Sequence, residues 1–435
     1  MSHLIIVGDI VVDVTLKTLT EPYKLRLGGI THSARAAWAL DAKYSVGYFS
    51  PSYMEGAISE YYKRHGCLEE QKLGDVIGAP YVFLISEAKE VGEQGYEFLF
   101  RDKVQLVYSE KLIKANSESE VLFISGNYNV RTVLEKVNSK NSHIDLANNV
   151  QSLDEIKQLG YFHSTIFIST SSNLFKCLFE GDFRKFAENF KPYCARLILK
   201  ENRGGSRGID FNTNEIVAVP SQTQIIVHSV GVGDAFDAAY VIYYRHYTFR
   251  EALTLSSWVA CEYALTTFPD DFRMNIQRIK KCEIKDLIGL GGVSLPWEKR
   301  KQVNVYIAAP DFDFLDTSEI DRVSSSLEYH NFSPRRPIRE NGQMEINANI
   351  DRKKELFQKD MTLIDQCQII VAVLLNNDSG TLVEIGYAVG IGKPAIVYDP
   401  YDLAKNCMLS ELPTLVSNNL DNIICEVFKQ SAKIV

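Results

Sequence analysis

The sequence lacks several features that mark specialised classes of protein. Its eight cysteines form no CxxC pair, so neither a zinc site nor a disulfide framework is predicted, and buried free thiols are expected. No apolar run is long enough to cross a bilayer, so no membrane association is predicted. The cysteines are Cys67, Cys177, Cys194, Cys261, Cys282, Cys367, Cys407 and Cys425.

The chain also lacks a secretion signal and a basic block. The opening segment MSHLIIVGDIVVD is only briefly apolar and is interrupted by Asp9, so it predicts a strand and not a signal peptide. The formal net charge is -8, and no cluster of lysine and arginine stands out, so a nucleic acid polymer is not an expected partner. These absences favour a cytoplasmic enzyme that acts on small molecules.

The chain does contain short β-branched runs that alternate with longer amphipathic segments. Continuous apolar runs of this kind suit strands that are covered on both faces, which predicts an α/β protein with mostly parallel sheets. Examples of the runs are LIIVGDIVV, VLFIS, TIFIS, RLILK, VNVYIAA and IIVAVLL.

The 435 residues are enough for two or three domains. One break is visible, because residues 284–302 read IKDLIGLGGVSLPWEKRKQ, with glycine, proline, charge and little periodicity. We therefore predict a larger domain over 1–284, a linker over 285–302 and a smaller α/β domain over 303–435.

The clearest motif of the first domain is VGVGDAFDAAYV, from Val230 to Val241. Gly231 and Gly233 let backbone N–H groups converge at the start of a helix, where the helix dipole also favours an anion. Asp234 then lies beside the anion and could accept a proton from an attacking hydroxyl. The alternative interpretation is a glycine turn with an aspartate N-cap.

The motif resembles the GAGD motif of the ribokinase-like (PfkB) sugar and nucleoside kinases, and the resemblance extends from Met1 to about Lys281. It implies a ribokinase-like α/β fold with a mostly parallel sheet and a lid. In the segment GDIVVD, Asp13 matches the aspartate that binds sugar hydroxyls. Gly28 and Gly29 match the diglycine that hinges the lid, and Ser33 stands where the family has an asparagine of the substrate site.

The same resemblance implies an ATP site that works with Mg²⁺. By this resemblance Gly231, Val232 and Gly233 form the anion hole and Asp234 is the catalytic base. The segment LILKENRGGSRG matches the strand and glycine turn that line the ATP site, so Asn202 and Gly205 are its expected contacts.

Three departures from the kinase pattern leave a second hypothesis open. His228 replaces the family's aspartate near the GAGD motif, the Mg²⁺-organising NxxE segment is not recognisable in STSSNLF, and KENRGG replaces TLGxxG. The alternative is a degenerate domain that only binds a nucleoside or nucleotide.

Three carboxylates stand out in the second domain. Asp360 lies in a segment with helical spacing over about 348–367, where it could also be a solvated helix charge. Asp378 and Glu384 follow a buried strand, so we expect them at the carboxyl end of a parallel sheet, where open α/β sheets hold ligands. They could instead cap the following helix, since Thr381 and Glu384 have capping-box spacing. At this helix N-terminus the dipole is expected to keep Glu384 ionised.

The order of segments from Val303 to about Leu409 resembles the nucleoside 2-deoxyribosyltransferase family. The segments are YIAAP at 306–310, FSPR at 332–335, KD at 359–360 and DSGTLVEIGYA at 378–388. The resemblance implies a doubly wound, flavodoxin- or Rossmann-like domain that needs no cofactor.

In this family's mechanism Glu384 attacks C1′ of the deoxyribose and forms a glycosyl-enzyme ester. Asp360 is the acid or relay that protonates the departing base, Asp378 holds the sugar hydroxyls, and Tyr306 orients Glu384. Asn406 matches an asparagine that completes the site of a neighbouring subunit, which implies a homo-oligomer.

The leading hypothesis is a bifunctional nucleoside-salvage enzyme, in which one domain transfers or removes a base and the other phosphorylates a nucleoside or a sugar. The alternative is a deoxynucleoside 5′-monophosphate N-hydrolase with a kinase-like sensing domain, since Ser333, Arg335, Arg336 and Ser379 could bind a phosphate. A third hypothesis is a nucleotide-binding regulator whose two sites are relics.

Overall fold

The structure is a computed structural model that describes residues 3–17, 22–78, 81–94, 96–99, 104–111, 113, 115–137, 141–146, 149–222, 224, 226–345 and 347–435. The chain divides into two compact units. The first contains Met1–Lys89 and Gln94–Ser294, and the second contains Glu90–Glu93 and Leu295–Val435. Both units are α/β, which confirms the predicted fold class.

The first unit is built on a large sheet with the strand order β14-β13-β12-β11-β10-β9-β1-β4-β5-β8. The strands from β12 to β5 in this order are all parallel, and β8, β13 and β14 add antiparallel edges. The strands of the large sheet are β1 (Leu4–Asp9), β4 (Tyr44–Ser50), β5 (Glu70–Ile77), β8 (Gln105–Tyr108), β9 (Glu120–Ile124), β10 (Ser142–Asp145), β11 (His163–Ser169), β12 (Cys194–Lys200), β13 (Ser206–Asp210) and β14 (Glu215–Val219).

A small sheet with the order β3-β2-β6-β7 belongs to the same unit. Its strands are β2 (Val12–Thr15), β3 (Lys24–Leu27), β6 (Val82–Ile85) and β7 (Tyr96–Leu99). Since β2 follows β1 after only two residues, the chain passes directly from the centre of the large sheet into the small one. This passage carries the GDIVVD segment and its two aspartates, Asp9 and Asp13.

Helices α1 and α7 pack together against the large sheet, and their alanines allow close approach because they add little bulk. The helices of the unit are α1 (Thr31–Ala39), α2 (Glu55–Arg64), α3 (Val130–Val137), α4 (Leu153–Leu159), α5 (Asn173–Leu178), α6 (Phe183–Glu188), α7 (Val232–Tyr243), α8 (Phe249–Ala264), α9 (Pro269–Ile279) and α10 (Ile284–Gly289), with short 3₁₀ turns at Ser52–Met54 and Asn202–Gly204.

The second unit contains a parallel sheet with the order β16-β15-β17-β18-β19, which is a doubly wound arrangement as predicted. The strand order reverses between β15 and β17, and such a switch point opens a ligand crevice at the carboxyl ends of the strands. The strands are β15 (Asn304–Ala308), β16 (Ser333–Arg335), β17 (Ile369–Val373), β18 (Ala395–Tyr398) and β19 (Leu415–Ser417).

Helices cover this sheet. The segment predicted as a linker contains all of the short helix α11 and all but the first residue of α10, which belongs to the first unit. The helices are α11 (Trp297–Arg300), α12 (Ser318–Tyr329), α13 (Pro337–Asn341), α14 (Ile350–Gln366), α15 (Ser379–Gly390), α16 (Cys407–Glu411) and α17 (Leu420–Ile434). Within the described residues, every helix is too short or too polar to cross a membrane.

Candidate active sites

Glu384 of the second unit lies at the switch point of the sheet. Tyr306, on β15, is fully buried, and its hydroxyl donates a hydrogen bond of 2.6 Å to Glu384 Oε1. Glu384 is in the second turn of α15, which follows β17, so neighbouring strands on either side of the reversal position the two side chains. The structure thus brings the predicted nucleophile and its predicted orienting tyrosine together.

Burial of Glu384 raises the pKa of its carboxyl to about 7. The hydrogen bond from Tyr306 opposes this rise, and the charges of Asp360 and Asp378 add to it. We expected the helix N-terminus to keep this carboxylate ionised, but removal of the carboxylate from water has the larger effect on its pKa. Glu384 is therefore divided between its two protonation states near neutral pH.

Asp360 lies on α14, close enough for its charge to influence both Glu384 and Tyr306. Its Oδ1 accepts a hydrogen bond of 2.8 Å from the Asn341 side chain at the end of α13. Burial raises the pKa of Asp360 above the usual range, which the Asn341 bond partly opposes. A raised pKa suits a group that must hold a proton until a base departs.

Asp378 is the N-cap of α15. Its Oδ2 accepts the backbone N–H of Thr381 at 2.7 Å and the Thr381 hydroxyl at 2.9 Å. The capping interpretation of this segment therefore holds for Asp378, while Glu384 lies too far into the helix to complete a capping box with Thr381. These hydrogen bonds fix the Asp378 carboxylate at the crevice, and its role toward a sugar stays a prediction.

Three of the four groups considered for phosphate binding already have partners. The Ser333 hydroxyl donates to the Lys301 carbonyl at 2.9 Å. Arg335 makes a two-point contact with Glu340, at 2.7 and 2.5 Å. Arg336 pairs with the buried Asp311 at 2.8 and 2.6 Å. An incoming phosphate would have to compete with these carboxylates for the two guanidinium groups.

Asn406 is exposed and caps the short helix α16, where its Oδ1 accepts the Met408 N–H at 2.9 Å. No hydrogen bond between described residues links it to Glu384, Asp360 or Asp378. Its predicted part in a neighbouring subunit's site stays a prediction.

In the first unit, the GVGD motif forms the turn into α7. Gly231 is the N-cap with a φ of 79°, in the left-handed region, and a side chain there would overlap the ring of His32. Val232 and Gly233 begin the helix and Asp234 lies in its first turn. The backbone N–H groups of this turn are therefore presented at a helix N-terminus, as the anion-hole prediction requires.

Lys200, at the carboxyl end of β12, lies at the centre of a charged cluster beside this turn. Its ammonium donates to Asp145 Oδ2 at 2.9 Å and to Asp237 Oδ2 at 2.7 Å. Carboxylate oxygens of Asp145, Asp234 and Asp237 all lie within 4.8 Å of one another. Burial raises the pKa of Asp234 to about 7, Asp145 raises it further, and Lys200 lowers it.

Asp13, the residue of the first unit that is predicted to bind sugar hydroxyls, lies at the end of a chain of buried hydrogen bonds. Its Oδ2 is 3.0 Å from His32 Nε2, and His32 Nδ1 is 2.6 Å from the Tyr263 hydroxyl. Burial lowers the pKa of His32 to about 4, so the ring is neutral at pH 7. A neutral ring that donates from Nε2 to the carboxylate must accept at Nδ1, so the Tyr263 hydroxyl is the donor to His32. The Tyr263 oxygen in turn accepts a hydrogen bond of 3.1 Å from Arg35.

The predicted diglycine packs against the two aspartates of GDIVVD. A side chain at Gly28 would overlap the Asp13 carboxylate, and one at Gly29 would overlap the carbonyl of Asp9. Gly29 also has a φ of 61°. These contacts explain the need for glycine at both positions, whereas the predicted hinge motion stays a prediction.

Other predicted residues of the first unit have structural partners. The buried Ser33 hydroxyl donates to the Asp234 carbonyl at 3.0 Å, so it ties α1 to the start of α7. Asn202 and Gly205 bound the 3₁₀ turn after β12, with φ values of 52° and 103°. His228 is buried, and its Nε2 donates to the Thr266 carbonyl at 2.8 Å.

Residues 305–419 match the family model of nucleoside 2-deoxyribosyltransferases. The matched segment contains Tyr306, Asp360, Asp378 and Glu384, and its fold is the smaller parallel sheet described above. No curated protein matches the chain.

Solved structures similar to the larger part of the chain include the following three. A phosphofructokinase-2 variant from Escherichia coli aligns at 12% identity over 65% of this chain and 100% of its own, with a TM-score of 0.47. A nucleoside kinase of the ribokinase family from Methanocaldococcus jannaschii aligns at 12% identity over 64% and 99%, with a TM-score of 0.45. A protein described as ribokinase II from E. coli, in complex with ATP and Mg²⁺, aligns at 13% identity over 64% and 100%, with a TM-score of 0.47. At these identities and TM-scores the likeness does not bear on activity.

Proposed function

We propose that the second unit transfers a 2-deoxyribosyl group between nucleobases through an ester on Glu384. The observation that carries the proposal is the 2.6 Å hydrogen bond from the buried Tyr306 to a carboxyl whose pKa is raised to about 7. This carboxylate is largely removed from water, it is held by one neutral donor, and it lies within the segment that matches the deoxyribosyltransferase model.

In the first step the ionised Glu384 attacks C1′ while the N-glycosidic bond breaks and its electron pair leaves with the base. Asp360 gives its proton to a nitrogen of the departing base. In the second step a nitrogen of another base attacks C1′, the ester bond breaks, and the proton of the incoming base returns to Asp360. Both steps invert C1′, so the nucleoside keeps its configuration.

Hydrolysis of deoxynucleoside monophosphates is the alternative for this unit. The partners of Ser333, Arg335 and Arg336 argue against it, because three of the four groups considered for a 5′-phosphate already make a hydrogen bond or an ion pair. A free nucleoside needs no such group.

We infer that the first unit transfers a phosphoryl group from ATP to a hydroxyl. The glycine turn at 231–233 offers backbone donors to phosphate oxygens, and Asp234, with a pKa raised to about 7, can take the proton of the attacking hydroxyl. The carboxylates of Asp145 and Asp237 would hold Mg²⁺, which prefers carboxylates and phosphate oxygens, and the ion would share them with the Lys200 ammonium that they already bind. When bound with ATP, Mg²⁺ neutralises phosphate charge, and Lys200 contributes a fixed positive charge beside Gly233.

The exchange reaction tests the first proposal. The protein is mixed with deoxyinosine and free adenine, and the bases and nucleosides are separated by chromatography. Formation of deoxyadenosine is the expected result. Release of base from deoxyinosine monophosphate without exchange would instead support the hydrolase.

The kinase proposal is tested by ADP formation in the presence of ATP, Mg²⁺ and a panel of sugars and nucleosides. At least one acceptor should stimulate ADP release. If none does so, the first unit is a binding domain.

A further inference from the structure

The segment that leads into the glycine turn of the first unit, residues 227–230, is attached to the small sheet. The backbone N–H of Ser229 donates to the Ala88 carbonyl at 2.8 Å, and the Gln94 side chain donates to the Ser229 hydroxyl at 2.9 Å. Ala88 and Gln94 lie between β6 and β7 of that sheet. The chain is therefore already bound to the small sheet when it reaches the turn at 231–233.

Arg26, on β3 of the same sheet, makes a second attachment to this segment. Its Nη2 donates to the Val230 carbonyl at 3.3 Å, and its Nη1 lies 3.5 Å from His228 Nδ1. Burial lowers the pKa of His228 to about 3, and the charge of Arg26 adds to this effect, so the ring is neutral at pH 7. Because His228 Nε2 donates to the Thr266 carbonyl, Nδ1 is the acceptor that faces the guanidinium.

The charge of Arg26 is balanced within the small sheet. Asp13 is its neighbour in the register of β2 and β3, and Asp13 Oδ2 lies 3.8 Å from Arg26 Nε, an ion-pair distance that is too long for a hydrogen bond. The Arg26 side chain is only 15% exposed, so solvent screens the pair little. The attraction to Asp13 thus holds the guanidinium at the sheet, while its Nη groups contact the segment before the turn.

The Val230 carbonyl belongs to the same peptide group as the Gly231 N–H, one of the donors of the proposed anion hole. Gly231 has a φ of 79°, and a glycine has many other conformations open to it, so contacts from outside the turn are needed to fix this peptide group. A cation bound at the carbonyl holds the plane of the peptide and polarises it, which makes the N–H a stronger donor to a phosphate oxygen.

We propose that Arg26 is a positioning residue, through which the small sheet holds the glycine turn in the shape that binds the phosphates of ATP. The inference rests on the proposed phosphoryl transfer and adds a residue that lies outside the turn and its helix. It also gives His228 a role, since the neutral ring presents an acceptor to the guanidinium.

Hydrogen exchange of the full-length Arg26→Met protein tests the positioning role. The Val232 N–H donates to the Ser229 carbonyl and the Ala235 N–H to the Gly231 carbonyl, so exchange in a peptide that spans 229–236 reports opening of the turn. We expect this exchange to be roughly tenfold faster in Arg26→Met, with α3 and α4 unchanged. Unchanged exchange in the turn, or equally faster exchange throughout the first unit, overturns the inference.

Two further variants separate positioning from general damage to the fold. Arg26→Lys keeps the charge near Asp13 but offers one ammonium to two acceptors, so exchange in the turn should lie between that of the native protein and that of Arg26→Met. If Arg26→Met does not fold, Arg26→Lys carries the test alone, and native exchange in its turn overturns the inference.

Arg131→Met on α3 is the matched control. It removes an exposed guanidinium that also contacts a carboxylate and a backbone carbonyl, those of Glu135 and Gln158, and it should leave exchange in the turn unchanged. The inference fails if Arg131→Met accelerates this exchange as much as Arg26→Met does.

Calorimetric binding of ATP in the presence of Mg²⁺ separates this inference from the kinase proposal. Arg26→Met should bind ATP roughly tenfold more weakly than the native protein, and Arg131→Met equally well. If exchange in the turn is faster but the affinity for ATP is unchanged, the positioning role stands and phosphoryl transfer at this turn is wrong. If the affinity falls while exchange in the turn is unchanged, the phosphate site stands and the positioning role is wrong.

Discussion

The two candidate sites place a carboxyl group near the start of a helix and raise its pKa to about 7, but they do so in different surroundings. Glu384 lies beside the neutral hydroxyl of Tyr306 and two other carboxyl groups. Asp234 lies beside the Lys200 ammonium, which is shared by Asp145 and Asp237. A carboxyl pKa of about 7 thus occurs once beside a neutral hydrogen-bond donor and once beside a full positive charge.

The difference corresponds to the chemistry proposed for each unit. A carboxylate that must form a bond to carbon needs a partner that orients it without neutralising its charge. A carboxylate that must accept a proton beside phosphate groups needs a cation nearby, because the phosphates repel a second negative charge. The following changes distinguish the two arrangements.

The largest effect is expected from Glu384→Gln. The amide keeps the size of the side chain and can still accept from Tyr306, but it cannot form the ester, so the rate of base exchange should fall by roughly 10⁴-fold or more. Chromatography of the exchange products measures this loss. Glu319→Gln is the matched control, since Glu319 accepts a hydrogen bond of 2.8 Å from Tyr398 in the same unit. Substantial exchange by Glu384→Gln would show that no covalent ester forms there.

Asp234→Asn should lower ADP formation by roughly 10³-fold, because the amide cannot accept the proton of the attacking hydroxyl. Base exchange in the same preparation should be unaffected, which serves as an internal control for folding of the second unit. The comparison between the sites fails if Asp234→Asn retains ADP formation, because the carboxylate would then have no part in proton transfer.

Much of this picture follows from the sequence. Short, continuous apolar runs that alternate with amphipathic segments predict the parallel sheets. Residues that follow a strand, such as Asp378, are expected at the carboxyl edge of the sheet. The pairing of Tyr306 with Glu384 follows from the family resemblance. The strand order then explains the pairing physically, because β15 and β17 are neighbours on either side of the reversal.

Other parts depend on contacts that no local pattern shows. Lys200 and Asp145 end strands 55 positions apart in sequence, and their ion pair requires the order β12-β11-β10. His32 and Tyr263 are separated by 231 positions and meet only because α1 and α8 belong to the same core. Asn341, the partner of Asp360, was also missed. Charged residues at strand ends are the signal that could have indicated Lys200 and Asp145.

Lys200→Met removes the cation that lowers the pKa of Asp234, so that pKa should rise. Asp234 acts as a base only when ionised, so the acidic limb of the pH profile for ADP formation should shift to higher pH. Loss of the positive charge near the phosphates should also reduce the rate at neutral pH by roughly 10²-fold. Steady-state rates across a pH series measure both effects.

Two variants separate this electrostatic effect from simple damage to the fold. Lys200→Arg keeps the charge and should keep the pH at which the limb rises, even where the rate falls. Lys72→Met removes a lysine that joins Glu55 and Asp75 at 2.5 and 2.7 Å on the surface, and it should leave the profile unchanged. If the acidic limb of the pH profile does not shift in Lys200→Met, Asp234 is not the titrating base.

The smallest effect is expected from Tyr306→Phe, which probes the neutral donor of the second site. Exchange requires ionised Glu384, so its rate should rise with pH through about 7 in the native protein. The Tyr306 hydrogen bond lowers the pKa of Glu384, so its loss should move the rise upward by about one pH unit. The rate should therefore fall about tenfold at acidic pH and much less at alkaline pH. Tyr398→Phe removes the equivalent hydroxyl from Glu319 and should leave the profile in place. If Tyr306→Phe lowers the rate equally at every pH, the hydroxyl orients Glu384 without changing the pKa of its carboxyl. The neutral donor would then have no electrostatic role to compare with that of Lys200.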